Sequence, residues 1–408
     1  MLKKHIDAVL APLRKIQGGR LHLTLPNQQF IELGDLQHFP PEQAILLNVH
    51  DWKVFKQIIH RGDIGFAESY IDGLWTTNNL EGILRLALQN RKLLESLIYG
   101  SLLGSLIYKL KHFLNRNTRA GSKKNIHAHY DLGNQFYQLW LDPSMMYSSA
   151  LFDGNDAQSL QDAQRNKLNR ILEQLHWKSN DHLLEIGCGW GGFMEAALEK
   201  GLTVTGLTLS SEQKDFVDQR FSTLNTTHAP ASAQAVLMDY RDCHDQFDGI
   251  ASIEMFEAVG ERYWPDYFAT LYRCLKPGKR AVIQAIVIQD HLFEKYRAET
   301  DFIQQYVFPG GMLPSRTSFK ESAAKAGLQI EGEFAFGADY AKTLCLWRDN
   351  FNQKLAQVHN LGFDEAFIRL WNFYLMYCAA GFAERNIDVV QFTLSHQQKQ
   401  VSPDALSP

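Results

Sequence analysis

His182-Leu-Leu-Glu-Ile-Gly-Cys-Gly-Trp-Gly-Gly192 is the stretch on which the reading of this chain turns. An apolar strand runs into an acid, Glu185, and then into Gly187, Gly189, Gly191 and Gly192. Glycine lacks a Cβ, so the segment can turn sharply and let a ligand approach bare backbone, and a helical pattern follows from Met194 to Lys200. Gly187, Gly189 and Gly192 satisfy G-x-G-x-x-G, a spacing that suits a dinucleotide as well as S-adenosylmethionine. A glycine turn without a ligand remains a third reading. Glu185, two residues before the first glycine, favours S-adenosylmethionine.

Working outward, 408 residues are enough for two domains. A composition of 45% hydrophobic and 21% charged residues is that of an ordinary globular protein. The net charge of −4 gives no global attraction to nucleic acid or lipid, so any anion binding must be local. Cys188, Cys243, Cys274, Cys345 and Cys378 show no C-x-x-C spacing, which argues for reduced thiols and against zinc or a disulfide framework. No metal site is expected. The amino terminus, MLKKHIDAVLAPLRK, has neither a long apolar core nor a small-residue cleavage site, so the expected location is cytoplasmic.

Residues 20–90 mix strand-like runs, Leu21 to Leu25 and Ala44 to Val49, with helical ones, Trp52 to His60 and Leu80 to Leu88, and read as a small α+β domain. The segment 93–114 is strongly apolar, but Gly100, Gly104 and Glu95 interrupt it, so it is not a clean membrane span. Lys109, Lys111, Arg116, Arg119, Lys123 and Lys124 follow without an intervening acid, a combination that suits the surface of an anionic bilayer and equally a solvated linker. After residue 125 strands alternate with helices. Expected strands are 182–186, 202–207, 234–238, 247–253 and 280–288, with helices at 193–200, 211–221 and 264–275. This is the pattern of a mostly parallel α/β sheet covered on both faces. Two more helical regions, 316–326 and 363–383, come later. The expected organisation is an amino-terminal domain and linker over 1–120, an α/β domain over 121–395 and a flexible tail over 396–408.

Seven motifs in order carry a resemblance: HYDLGNQFYQLWLDPSMMYSSALF (129–152), LLEIGCGWGG (183–192), GLTLSSEQ (206–213), IEMFEAVG (253–260), FPGGMLPS (308–315), DYAKTL (339–344) and YCAAGF (377–382). Together they resemble the cyclopropane-fatty-acid synthase family, including its mycolic acid relatives. The resemblance implies a class I S-adenosylmethionine methyltransferase fold with a mostly parallel seven-stranded sheet. It also implies methyl transfer to the cis double bond of unsaturated phospholipid acyl chains, at the inner face of a membrane. A homodimer would fit the family, and no nucleic-acid partner is implied.

The resemblance carries Gly187 and Gly189 to the methionine part of the cofactor, and Tyr147 and Ser148 to its sulfonium side. It carries Leu209 and Gln213 to the ribose and adenine region, and Asp239, Tyr240 and Arg241 to the adenine edge with Ile253 beneath. The second strand, ending at Leu209, lacks the acid that usually holds ribose hydroxyls, which counts against a dinucleotide and leaves Gln213 part of that role.

At the reacting centre the family binds a bicarbonate ion as base. Carried over, its Glu is Glu257 and its Tyr is Tyr340, but its Cys and His are here Ser149 and Gln284. Serine and glutamine can donate hydrogen bonds, yet a neutral amide neither brings positive charge nor shuttles a proton. Cys378 matches a family cysteine near the centre and is expected to line a pocket. Glu254 stands where many cyclopropane synthases have a small residue. With Glu257 it forms a carboxylate pair in which one group can be held protonated to make a base borne by the protein. The aromatics of these motifs, Tyr130, Phe136, Tyr137, Phe256, Tyr306, Phe308, Tyr374 and Tyr377 among them, can shelter a cation, though core packing is their commoner use.

Overall fold

The structure, a computed structural model, describes residues 2–99, 132–227 and 230–397. The basic run at 109–124, most of the apolar segment before it, Tyr130 and the tail beyond residue 397 lie outside the described residues. Described residues of 1–164, 288–312 and 336–389 pack as one unit, and those of 165–287, 313–335 and 390–408 as another.

The first unit carries a four-stranded sheet of β1 (Arg20–Thr24), β2 (Phe30–Gly34), β3 (Ile45–Val49) and β4 (Trp75–Thr77), in the order β2-β1-β3-β4. Period-2 alternation buries Leu21, Leu23, Leu33, Leu47 and Val49 on one face. The helix after β3 runs over Lys53–Ile71, well past the expected end at residue 60. Gly62, at φ 61° and ψ −136°, kinks it without ending it, because Ile64, Ala67 and Phe66 continue the apolar stripe. Trp75 stacks on Phe66 at 4.2 Å and donates its indole N–H to the Phe66 carbonyl at 3.1 Å. The long helices Gly337–Gln353 and Glu365–Ala383 pack on each other, and the second also on Leu80–Gln89 and Lys53–Ile71. Asp364 caps Glu365–Ala383 by accepting the Phe367 N–H at 2.9 Å. Phe363, Phe367 and Trp371 then stack one turn apart, with Phe136 edge-on to Trp371.

The second unit is built on a seven-stranded sheet: β5 (His182–Ile186), β6 (Thr203–Thr208), β7 (Ala233–Leu237), β8 (Phe247–Ile253), β9 (Leu275–Ile288), β10 (Leu328–Ala335) and β11 (Ile387–His396). The order is β10-β11-β9-β8-β5-β6-β7. β7, β6, β5, β8 and β9 run parallel, while β10 is antiparallel to β11. The chain leaves β5 toward β6 and β7 on one side and then returns to β8 and β9 on the other, so the order reverses at β5. Ligands of open α/β sheets bind beyond the carboxyl ends of strands at such a reversal. The glycine loop occupies that position.

Candidate active site

β5 ends at Ile186, and Gly187, Gly189 and Gly191 then adopt φ of 83°, 51° and 83°, the left-handed region that glycine enters without a Cβ penalty. A Cβ on Gly187 would lie 2.7 Å from Met255 Cγ, whereas one on Gly189 would meet no atom within 4 Å and instead fill open space. Glu185 is 2% exposed, and its Oε2 has no hydrogen-bond partner among the described residues. Burial pushes its carboxyl well above the usual carboxylate range, with the fully buried Lys167 opposing. After β6, the Thr208 hydroxyl accepts the Ser210 N–H, so its own proton goes to Gln213 Oε1 at 2.9 Å. That leaves the Gln213 amide N–H groups as donors. At the next loop Asp239 accepts from the Arg241 backbone and guanidinium, and Arg241 lies over Tyr240 at 5.6 Å. Leu209 and Ile253 stand at the ends of β6 and β8. An orphaned buried carboxyl oxygen beside uncovered backbone, with an amide donor in the first turn of the helix after β6, fits a cationic nucleoside such as S-adenosylmethionine.

The same unit holds three of the residues expected at the reacting centre. Glu254 follows the last residue of β8 at φ 51°, and its backbone N–H donates to the Gln284 carbonyl at 2.8 Å. Gln284, on β9 and fully buried, donates its side-chain Nε2 to Glu254 Oε1 at 2.7 Å. Glu257 accepts the Ile286 backbone N–H through Oε1, while its buried Oε2 has no partner among the described residues. Burial first, and then the charge of Glu254, raise the Glu257 carboxyl to about 8. Glu254 and Glu257 are thus an electrostatically linked pair.

Tyr147, Ser148, Ser149, Tyr340 and Cys378 belong to the first unit, where Tyr147, Tyr340 and Cys378 lie at an aromatic cluster. The Tyr147 and Tyr374 hydroxyls share a 2.7 Å hydrogen bond, and the Tyr147 ring lies 5.5 Å from both Trp140 and Trp347. Tyr340 stacks on Phe382 at 4.4 Å and meets Trp347 edge-on. Ser149 is fully buried and donates to the Ala150 carbonyl at 3.0 Å, and the Ser148 carbonyl accepts from Gln164. Cys378 and Tyr340 lie close enough to Tyr374 to hold its hydroxyl, already disfavoured from ionising by burial, further in the neutral form. Burial, and then Asp301, likewise push the Cys378 thiol far above its usual range, so it is a neutral wall of the cluster and not a thiolate. Of the other motif aromatics, Phe136 and Phe256 are fully buried in the cores of their own units.

Sequence reasoning passed over Arg170, Lys167 and Gln391. Gln391 interrupts the continuous buried run Val389–Leu394 of β11, and it donates to Gln284 Oε1 at 3.0 Å. A glutamine inside a fully buried strand demands a partner, and that was the available signal. Lys167, 0% exposed on the helix Leu160–Leu175, could have been noticed only by its place opposite Glu185.

The family profile of mycolic acid cyclopropane synthetase matches residues 117–392, more than half of the chain. The chain is 37% identical over 348 residues to the tuberculostearic acid methyltransferase UfaA1 of Mycobacterium tuberculosis, covering 83% of this chain and 80% of that protein. It is 34% identical over 351 residues to the cyclopropane-fatty-acyl-phospholipid synthase of Escherichia coli, covering 84% and 85%. Among solved structures, the mycolic acid cyclopropane synthase CmaA1 complexed with SAH and CTAB is 32% identical with a TM-score of 0.61, covering 67% of this chain and 97% of that one. The second unit has the class I sheet, and S-adenosylmethionine is the cofactor these relatives support. The chain belongs to the mycolic acid cyclopropane synthetase family and is an S-adenosylmethionine-dependent methyltransferase.

Proposed function

We propose that this enzyme methylates the cis double bond of unsaturated phospholipid acyl chains and closes the resulting cation to a cyclopropane. The observation that supports this most is the Glu254–Glu257 pair, with a raised carboxyl on Glu257 and a buried oxygen aimed at no partner among the described residues. An alkene is a weak nucleophile with no proton to surrender before attack, so the enzyme needs its base after methyl transfer. S-adenosylmethionine supplies the electrophilic methyl group. The methylated alkene is a carbocation, and the pair, carrying one proton near neutral pH, takes a second from the added methyl as the ring closes. The likeness to the Escherichia coli enzyme over most of both chains supports the phospholipid substrate.

A second reading, a methylene- or methyl-branching enzyme, is favoured by Glu254 and by Gln284 donating to it. Such a carboxylate beside the cation gives a second place from which a proton can be drawn, and after a 1,2-hydride shift its loss yields a methylene branch. The similarity to the tuberculostearic acid methyltransferase points the same way. Either lipid reaction places the protein at the cytoplasmic membrane surface, with bicarbonate unnecessary where the carboxylate pair serves as base. The test is incubation with 13C-methyl-labelled S-adenosylmethionine and vesicles of unsaturated phosphatidylglycerol and phosphatidylethanolamine, followed by mass and fragmentation of the acyl chains. Label in a ring supports the first reading, label in a branch the second, and equal labelling without lipid defeats both.

A further inference from the structure

Four side chains of the second unit form a hydrogen-bonded line. Arg170 Nη1 donates to Gln391 Oε1 at 3.0 Å, Gln391 Nε2 donates to Gln284 Oε1 at 3.0 Å, and Gln284 Nε2 donates to Glu254 Oε1 at 2.7 Å. They come from the helix Leu160–Leu175, from β11, from β9 and from the residue after β8.

A carboxamide presents an oxygen and an NH₂ of nearly equal size, and an isolated glutamine can face either way. This line removes the choice. A guanidinium only donates, so Gln391 must turn its oxygen to Arg170 and its nitrogen to Gln284. A carboxylate only accepts, so Gln284 must turn its nitrogen to Glu254, and its oxygen then meets the nitrogen of Gln391. Gln284 is 0% and Gln391 1% exposed, so neither amide has water as a substitute partner. The anchor is itself held, because the Arg170 guanidinium lies 3.9 Å over the Phe334 ring on β10.

We propose that Arg170 and Gln391 are positioning residues of the methyl-transfer site, which orient the Gln284 amide so that it presents an N–H to Glu254. An N–H donor favours the charged carboxylate, whereas an amide oxygen in the same place would oppose it. The line therefore separates the pair: Glu254 carries the charge and Glu257 holds the proton. Besides Gln284, the Tyr267 hydroxyl lies within electrostatic reach of Glu257, and burial holds it neutral. Among the described residues, the charge that raises the Glu257 carboxyl is that of Glu254. The inference rests on the proposed function in that it takes the pair as the base.

Two variants test it. Gln391→Glu keeps the size and the Arg170 contact but only accepts, so it turns the Gln284 amide round and puts its oxygen against Glu254. Arg170→Met releases the anchor at a half-exposed position. For both, the acid limb of the pH profile of kcat/KM on vesicles moves up by about one pH unit, the shift expected from losing a hydrogen bond to a charged group. In cofactor-free Arg170→Met protein, the carboxyl C=O infrared band shows the same upward shift in the first ionisation of the pair, while S-adenosylmethionine affinity by calorimetry stays within about twofold. An unchanged infrared titration and an unchanged acid limb overturn the inference even when lipid methylation is intact. Absence of lipid methylation in the unmutated protein overturns the proposed function instead, and the infrared titration still decides the role of Arg170.

Discussion

Gln284 donates its side-chain amide to Glu254 at 2.7 Å, at the position where the resemblance led us to expect a histidine. An imidazole can gain and lose a proton, and an amide cannot. In the proposed mechanism the titrating work at this site therefore falls to Glu254 and Glu257. Glu254→Gln, which removes the charged member of the pair, is expected to lower kcat by 10²-fold or more, the usual scale for a lost general base, with S-adenosylmethionine affinity unchanged by calorimetry. Glu257→Gln keeps a neutral group where the proton is held, and is expected to lower kcat less and to move the pH profile. If Glu254→Gln leaves both rate and profile unchanged, the paired base is wrong and Glu257 acts alone.

The raised carboxyls also govern stability. Burial lifts Glu257 to about 8 and Asp63 to about 7, the latter helped by Asp301, which itself stands at about 6. Each of these acids is neutral in the folded chain at a pH where it would be ionised when unfolded. Their contribution is full below the unfolded carboxyl range near 4 and is lost as pH rises through 6 to 8, at about 1.4 kcal/mol per raised unit before solvent screening. Tm should fall from pH 5 to pH 8.5, and Glu257→Gln should flatten that fall. A Tm that rises across this range would contradict the assignment.

Two glycines separate binding from folding. Gly187→Ala sets a Cβ 2.7 Å from Met255 Cγ at φ 83°, and should weaken S-adenosylmethionine binding by about tenfold or more. Gly201→Ala, at φ 77° with no atom within 4 Å of its Cβ, should cost about 1 kcal/mol of stability and leave binding unchanged. Calorimetry and thermal melts of the two variants distinguish these effects.

Cys378 carries a thiol held neutral by burial and by Asp301. Cys378→Ala should keep turnover within about tenfold, because the loss is one of packing. A loss of several orders of magnitude, with trapping of methyl label on the wild-type cysteine, would show a nucleophile.

Much of the sheet was legible in the sequence because its strands are continuous apolar runs bounded by glycine, aspartate and proline. Phe247–Ile253 was expected at those residues, and Trp264–Cys274 falls one residue short of its expected end. The glycine loop identified its ligand class through Glu185, whose buried, unpartnered oxygen is the physical counterpart of that signal. The line from Arg170 to Glu254 was not legible. Its hydrogen bonds span 221, 107 and 30 residues of sequence, and only the fold brings those strands side by side. The helix Lys53–Ile71 was expected only over Trp52 to His60, and the structure carries it on through a kink at Gly62. Asp239 and Arg241 were both expected at the adenine edge, and their mutual ion pair was not foreseen.

The basic residues Lys109, Lys111, Arg116, Arg119, Lys123 and Lys124 lie outside the described residues, and among the described ones no helix is long and apolar enough to cross a membrane. Vesicle association through that run should rise with anionic lipid and fall with salt, each cation near the surface contributing about 1 kcal/mol. Replacing all six by glutamine should abolish that dependence in a flotation assay. Association indifferent to both salt and lipid charge would make the run a linker.

The most direct measurement supplies S-adenosylmethionine with a fully deuterated methyl group, together with vesicles of cis-unsaturated phospholipid. Methyl transfer to the double bond followed by proton loss to the Glu254–Glu257 pair predicts acyl chains that gain a methylene unit bearing two of the three deuterium atoms. Label that keeps all three, on a head group or a water-soluble acceptor, would contradict the account.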